Sequence, residues 1–232
     1  ESSFRQCQTD FRDMAQSKGL DKSLLVSFGE YEGQVGITKN LLEKVGIFCN
    51  KTEKIKYSPS IKKKLIYTNN YIAKAVSCAF TNDPKNKLED FDTNRASDML
   101  ANALNQFFSE CKQTQHFHHN PPEELSVEEI KRFQDHILLG RNVGLEILGR
   151  LLYSCYDSSN QEFNSEKVTQ LSQIDWSRNG FCWQGNVITV QNYSSPNQGT
   201  KNITSSASTI RAAVEKVKHE LGWTVYPNST LF

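Results

Sequence analysis

Residues Thr93–Cys111, TNRASDMLANALNQFFSEC, decide the fold. Ala96, Met99, Leu100, Ala103, Leu104, Phe107, Phe108 and Cys111 recur at spacings of three and four, so they share one stripe of an α-helix. The intervening positions, Ala101 apart, are polar or charged. Such a helix must bury its stripe against other helices, and the flanking sequence supplies them. Pro121-Pro122 marks a loop, and Ser126-Val127-Glu128-Glu129 has the capping-box pattern, in which Ser126 and Glu129 satisfy each other's free amides. The helix that follows carries Ile130, Phe133 and Ile137 and is expected to end at Gly140. A further helix is expected over Asn142–Tyr156, with Val143, Ile147, Leu148, Leu151 and Cys155 inside.

Outward from this centre the pattern continues. Phe4–Ala15 reads as a helix, Leu24–Phe28 as a strand or buried turn, and Leu41–Phe48 as a short helical piece interrupted by Gly46. Lys51–Lys64 is polar and non-helical, as Pro59 requires. A helix is expected to begin near Asn69 or Asn70 and to close at Asn82-Asp83-Pro84. Phe163–Ile174 reads as helix, Trp183–Val190 as β and Ser194–Ser206 as a polar loop. The last helix spans Ser206–Leu221 and is capped by Gly222. The expected fold is mainly α, one compact multi-helix domain over 1–232 with a small β element. A subdivision, if there is one, falls near 85–91.

Composition narrows the function. Mean hydropathy is −0.58 and hydrophobic content 37%. No apolar run approaches the roughly 20 residues that span a bilayer, so a water-soluble chain is expected. Cys7, Cys49, Cys78, Cys111, Cys155 and Cys182 are scattered with no CxxC pair, as reduced, mostly buried thiols of a cytoplasmic protein would be. Glycosylation sequons at Asn50, Asn192, Asn202 and Asn228 fit the competing secreted reading, but such triplets arise readily by chance in a chain rich in Asn and Ser.

The net charge is only +1, yet it is unevenly placed. Residues 51–87 hold nine lysines against Glu53 and Asp83, whereas residues 88–135 hold ten acids against four bases. Within the basic stretch Lys51, Lys54, Lys56, Lys62, Lys63 and Lys64 surround Tyr57, Ser58 and Ser60, a mixture suited to phosphate contacts. A solvated lysine loop has the same composition. Asp175-Trp176-Ser177-Arg178-Asn179 is the densest polar and aromatic string. Either Trp176 plugs the core while Asp175 and Arg178 pair at its edge, or Arg178 contacts DNA or a partner.

Catalytic signals are missing. No G-x-S-x-G, Walker A, HExxH or GxGxxG pattern occurs, and Gly33-Gln34-Val35-Gly36 is too short to cradle a phosphate. Cys111, His116, His118 and His119 are ligand types in one short stretch, but the second pair that a tetrahedral zinc site needs is lacking. No catalytic residue, metal or cofactor is assigned.

The order of several segments carries a resemblance. Ile174-Asp175-Trp176-Ser177-Arg178-Asn179, then Trp183-Gln184-Gly185-Asn186, then a polar loop and a helix ending Leu221-Gly222, resemble the C-terminal end of the DGQHR-domain family, which includes the DNA sulfur-modification protein DndB. Phe11-Arg12-Asp13-Met14 with Asp21-Lys22-Ser23-Leu24 is similar to an earlier family segment. So are Leu42–Phe48, Thr52-Glu53-Lys54, and Lys64-Leu65 with Thr68. The resemblance covers most of the chain and is thin between Thr81 and Pro122. The Asp-Gly-Gln-His-Arg string itself is not present, Ala15 or Gln16 replaces the family's Asn, and Gly46 stands where Pro is common. The chain starts at Glu1, and the resemblance implies a ParB-like core upstream of it.

The resemblance implies a DNA-associated regulator or accessory factor of a phosphorothioation-type DNA-modification system, a DNA-binding transcriptional regulator among them. Double-stranded DNA, other DNA-modification proteins and a second copy of the chain are the implied partners. Two alternatives stay open: a nucleotidase or nuclease whose catalytic groups lie upstream, and a protein–protein scaffold. On the first reading the present chain is not itself an enzyme. Its DNA contacts are expected at Lys51, Lys54, Lys56, Lys62, Lys63, Lys64 and Arg178.

Overall fold

A computed structural model describes residues 31–191 and 200–223, so the helix expected over Phe4–Ala15 and the run Leu24–Phe28 lie outside the described residues. The described part is mainly α. Eight α-helices are joined by short 3-10 turns and three two-stranded ribbons: α1 Gly33–Lys44, β1 Thr52–Glu53, β2 Tyr67–Thr68, α2 Asn69–Thr81, α3 Thr93–Glu110, α4 Gln115–His119, α5 Val127–His136, α6 Asn142–Tyr153, β3 Tyr156–Asp157, β4 Glu162–Phe163, α7 Ser165–Ser172, β5 Ile188–Gln191, β6 Thr200–Ile203 and α8 Ala207–Glu220. Among the described residues no helix is long and apolar enough to cross a membrane.

Helix α3 is the spine. Asp92 caps it, its carboxylate accepting from the Arg95 amide at 2.8 Å. Its stripe is buried as the spacing predicts, and it packs against α1 on one side and α7 on another. Helices α2 and α6 are the most intimate pair. A Cβ on Gly149 would sit 2.5 Å from the Ala75 carbonyl oxygen, so only glycine permits this approach. Arg150 locks the pair: its guanidinium bonds the Asn82 carbonyl at 2.8 Å, and it pairs with Glu146 at 3.0 Å. Each large apolar side chain buried between these helices contributes about 1.5–3 kcal/mol.

One hydrophobic cluster runs through the described residues from Ile37 to Val217. Aromatic edges knit it together, Phe107 on Trp176 at 5.6 Å and Phe48 on Phe108 at 5.6 Å. The capping box at Ser126 and Glu129 forms as expected. Gly222 takes φ +68° beyond α8, the left-handed turn that glycine adopts freely.

Several boundaries differ from expectation, each for a tertiary reason. The first described helix runs over Gly33–Lys44, so Leu41 lies inside it while Val45–Phe48 lies beyond its end. Its glycine-rich first turn has poor intrinsic propensity, but Ile37 and Leu41 bury against the core. Helix α5 stops at His136 rather than Gly140. Ile137 is extended and bridges to Ser177, and the Leu138 amide bonds the Trp176 carbonyl at 2.8 Å. Leu138 and Leu139 then turn into the core. Phe163 pairs with Tyr156 in a ribbon, and Asn164 caps α7 just after it. Trp183 closes a 3-10 turn, so the strand begins only at Ile188. Its partner Thr200–Ile203 comes from the stretch expected to be loop.

Candidate nucleic-acid interface

Strands β1 and β2 are short, adjacent and parallel, with Thr52 opposite Tyr67 and Glu53 opposite Thr68. The chain between them, residues 54–66, leaves the core and returns beside its starting point. Its base is well held. The Lys51 carbonyl accepts from the Ile66 amide at 2.7 Å, and the Ser60 carbonyl accepts from Lys63 at 3.0 Å and Leu65 at 3.2 Å. Ile61–Lys63 form a 3-10 turn that packs against α5, and Lys64 takes φ +58° to end it. The Glu53 carboxylate accepts from the Ile55 amide at 3.2 Å. The tip, residues 54–58, faces solvent.

The six lysines grouped by the sequence meet different fates. Lys51 is 2% exposed. Its ammonium donates to the Asn120 carbonyl at 2.8 Å, and burial lowers its pKa against the opposing pull of Cys49 and Glu123. It therefore fastens β1 to the end of α4 and presents no charge outward. Lys64 is half-buried and donates to the Glu123 carbonyl at 3.2 Å. The basic stretch thus leans on the acidic one through backbone carbonyls rather than carboxylates. Lys54 is exposed at the rim of a cleft of about 430 Å³ that Lys39, Asn50, Thr52 and Asn69 also line. Lys56, Lys62 and Lys63 are exposed, and among the described residues their ammonium groups make no hydrogen bond or ion pair.

Arg178 has a structural post. Its guanidinium donates to the Gln134 carbonyl at 2.8 Å, and its amide to the His136 carbonyl at 2.8 Å. Arg141 reaches the same Gln134 oxygen at 2.6 Å and pairs with Asp135 at 2.9 Å. Two cations therefore cap the carbonyl end of α5, where the helix dipole favours them. Burial lowers the Arg178 pKa and Arg141 lowers it further, while Asp135 opposes. The expected Asp175–Arg178 pair does not form. Asp175 instead accepts from the Ser177 amide at 2.8 Å and from the Ser177 hydroxyl. Trp176 does plug the core, fully buried, its indole N–H on the Leu171 carbonyl at 3.1 Å. Trp183 does the same with the Asp175 carbonyl at 2.7 Å.

The loop and the arginine pair are neighbours through α5, which carries the 3-10 turn on its flank and the arginines at its end. Burial raises the Tyr71 pKa, with Arg141 lowering it and Tyr57 raising it, so both the arginine pair and the loop are within electrostatic reach of this phenol. What the sequence reading missed is Ile55. It is 59% exposed, with Tyr57 at 63% beside it. An apolar residue between two lysines, Lys54 and Lys56, was the available signal.

The histidine stretch is occupied by other work. Cys111 is buried and bonds Gln113, its thiol pushed up by burial. His116 pairs with Glu129 at 3.2 Å. His118 stacks on Phe108, and burial, helped by His119 and Lys51, lowers its pKa to about 4. Among the described residues no group of three or more His, Cys, Asp and Glu is placed to hold a metal ion. Cys49, Cys78, Cys111, Cys155 and Cys182 are free thiols, all but Cys49 buried.

Comparison with known proteins yields one family. The family model described as DndB, DNA-sulfur modification-associated, matches residues 1–224. No curated protein and no solved structure matches the chain.

Proposed function

Because the chain belongs to the DndB family of DNA-sulfur modification-associated proteins, we propose that it binds double-stranded DNA as a regulator or accessory factor of a DNA-modification system. The observation that carries this reading is the projecting loop. Lys56, Lys62 and Lys63 stand exposed on a base fixed by backbone hydrogen bonds, and no acid of the described residues pairs with them. Lysines in that condition displace counterions from phosphates. Lys54 extends the same surface toward the cleft, and Lys64 adds less because Glu123 already holds it. Lys51 and Arg178 position the surface rather than touch DNA. The free, buried thiols suit the reducing cytoplasm in which such a protein would work.

The test is fluorescence anisotropy on a labelled duplex over a range of salt, comparing the chain with the triple variant Lys56→Ala, Lys62→Ala, Lys63→Ala. Each phosphate-contacting lysine contributes about 0.9 to the slope of log affinity against log salt. The triple variant should bind more weakly, with a slope flatter by about 2–3. Equal affinity and slope would remove the loop from the interface. Phosphate contacts carry no sequence information, so a preference among duplexes of different sequence marks a regulator, and indifference marks an accessory factor.

A further inference from the structure

We propose that the loop carries a wedge: Tyr57, seconded by Ile55, stacks on a nucleobase exposed at an unpaired or unstacked position of duplex DNA. This rests on the reading of the loop as a DNA-contacting surface. Five large apolar side chains are strongly exposed among the described residues, and two of them, Ile55 and Tyr57, stand within this one loop. The contrast with two of the other three is informative, Tyr153 being the least exposed of the five at 41%. Phe181 lies under the Lys216 ammonium at 3.9 Å, and Tyr31 has Lys39 over its ring at 5.9 Å. Tyr57 has no ring stacked on it and no cation over it among the described residues, and 63% of it meets solvent.

A loop that only presented lysines would gain nothing from leaving an isoleucine and a tyrosine in water. Beside phosphate-binding lysines, they match the arrangement by which proteins insert apolar side chains between base steps or stack bases on aromatic rings. The geometry suits the task, since a wedge must not collapse when pushed. Ser60, Lys64 and Glu53 fix the two limbs of the loop, and the 3-10 turn rests on α5. Lys56 adjoins the ring in sequence, and Lys62 and Lys63 stand on the opposite limb, so phosphates on both sides of an opened step could be neutralised together. A base face is available to any sequence, so the ligand class is a structural state of DNA rather than a sequence.

The experiment uses the chain with three labelled DNAs of one sequence: a perfect duplex, a duplex with one mismatch, and a duplex with a single-base bulge carrying 2-aminopurine. The chain should prefer the mismatched and bulged duplexes by about tenfold and quench the 2-aminopurine emission. Tyr57→Ser should abolish both effects and keep the salt slope, Tyr57→Phe should retain them, and Ile55→Ser should weaken them. Both residues are exposed, so melting midpoints should not move. If the lysine triple variant flattens the salt slope but the chain shows no preference, or Tyr57→Ser leaves the preference intact, the wedge is wrong and the interface stands. If the lysine triple variant binds as the parent does, the interface itself fails and the wedge with it.

Discussion

Two short stretches of this chain are made of similar material and end in opposite situations. Residues 54–64 and residues 175–183 each combine aromatics, cations and hydroxyls or amides. In the second stretch Trp176 and Trp183 are fully buried 4.8 Å apart, their indole N–H groups are satisfied, Arg178 is spent on a backbone carbonyl, and even the exposed Phe181 lies under the Lys216 ammonium. In the first, Tyr57 and Ile55 face water, and Lys56, Lys62 and Lys63 are exposed with no hydrogen bond or ion pair from their ammonium groups among the described residues. The difference teaches that composition alone does not distinguish a structural knot from a binding loop. What distinguishes them is whether the polar groups find partners inside the protein.

That comparison can be attacked from its strong end first. Trp176→Ala should destabilise the fold by about 3–5 kcal/mol, because it empties a fully enclosed site against Phe107 and Trp183. Urea unfolding measures this, and a loss below 1 kcal/mol would mean the second stretch is not a structural knot. Next comes Arg178→Ala. It leaves one hydrogen bond to the Gln134 carbonyl unmade and should cost about 1–3 kcal/mol, with the salt slope of DNA binding unchanged. A flatter slope would put Arg178 back on the DNA and erase the contrast between the stretches. The smallest effect sharpens the contrast within the loop. Lys64→Gln should flatten the salt slope by clearly less than the roughly 0.9 expected for Lys62→Gln, since the Glu123 carbonyl already engages Lys64. Equal slopes would show that contact to be idle.

Much of the fold was legible because periodicity is a local signal. The stripe of α3, the capping box of α5 and the terminal glycine of α8 each announce themselves within one or two turns. The errors fall where a residue's place depends on something distant. Ile137 leaves its helix to bridge to Ser177, forty residues on, and no local pattern encodes that. Thr200–Ile203 is polar in sequence and becomes a strand only because Ile188–Gln191 is there to pair with it. Of the candidate site, the lysine cluster was visible as charge. The division of its members was not, since Lys51 is buried by the Asn120 carbonyl, which belongs to the end of a helix far along the chain. Tyr57 was visible as a neighbour of lysines, whereas its exposure depends on the absence of a partner, which only the folded chain reveals.

The side-by-side strands β1 and β2 have one further consequence. Because the two ends of the loop are pinned at neighbouring strand positions, about 5 Å apart, and only Ile61 and Ile66 of the returning limb pack on the core, the solvent-facing tip at residues 54–58 can change without disturbing that core. Doubling the length of such a segment costs only about 0.6 kcal/mol in closure entropy. That tip can therefore be lengthened or shortened while the helices stay as they are, which makes this spot the natural place for evolution, or a protein engineer, to retune what the molecule grips.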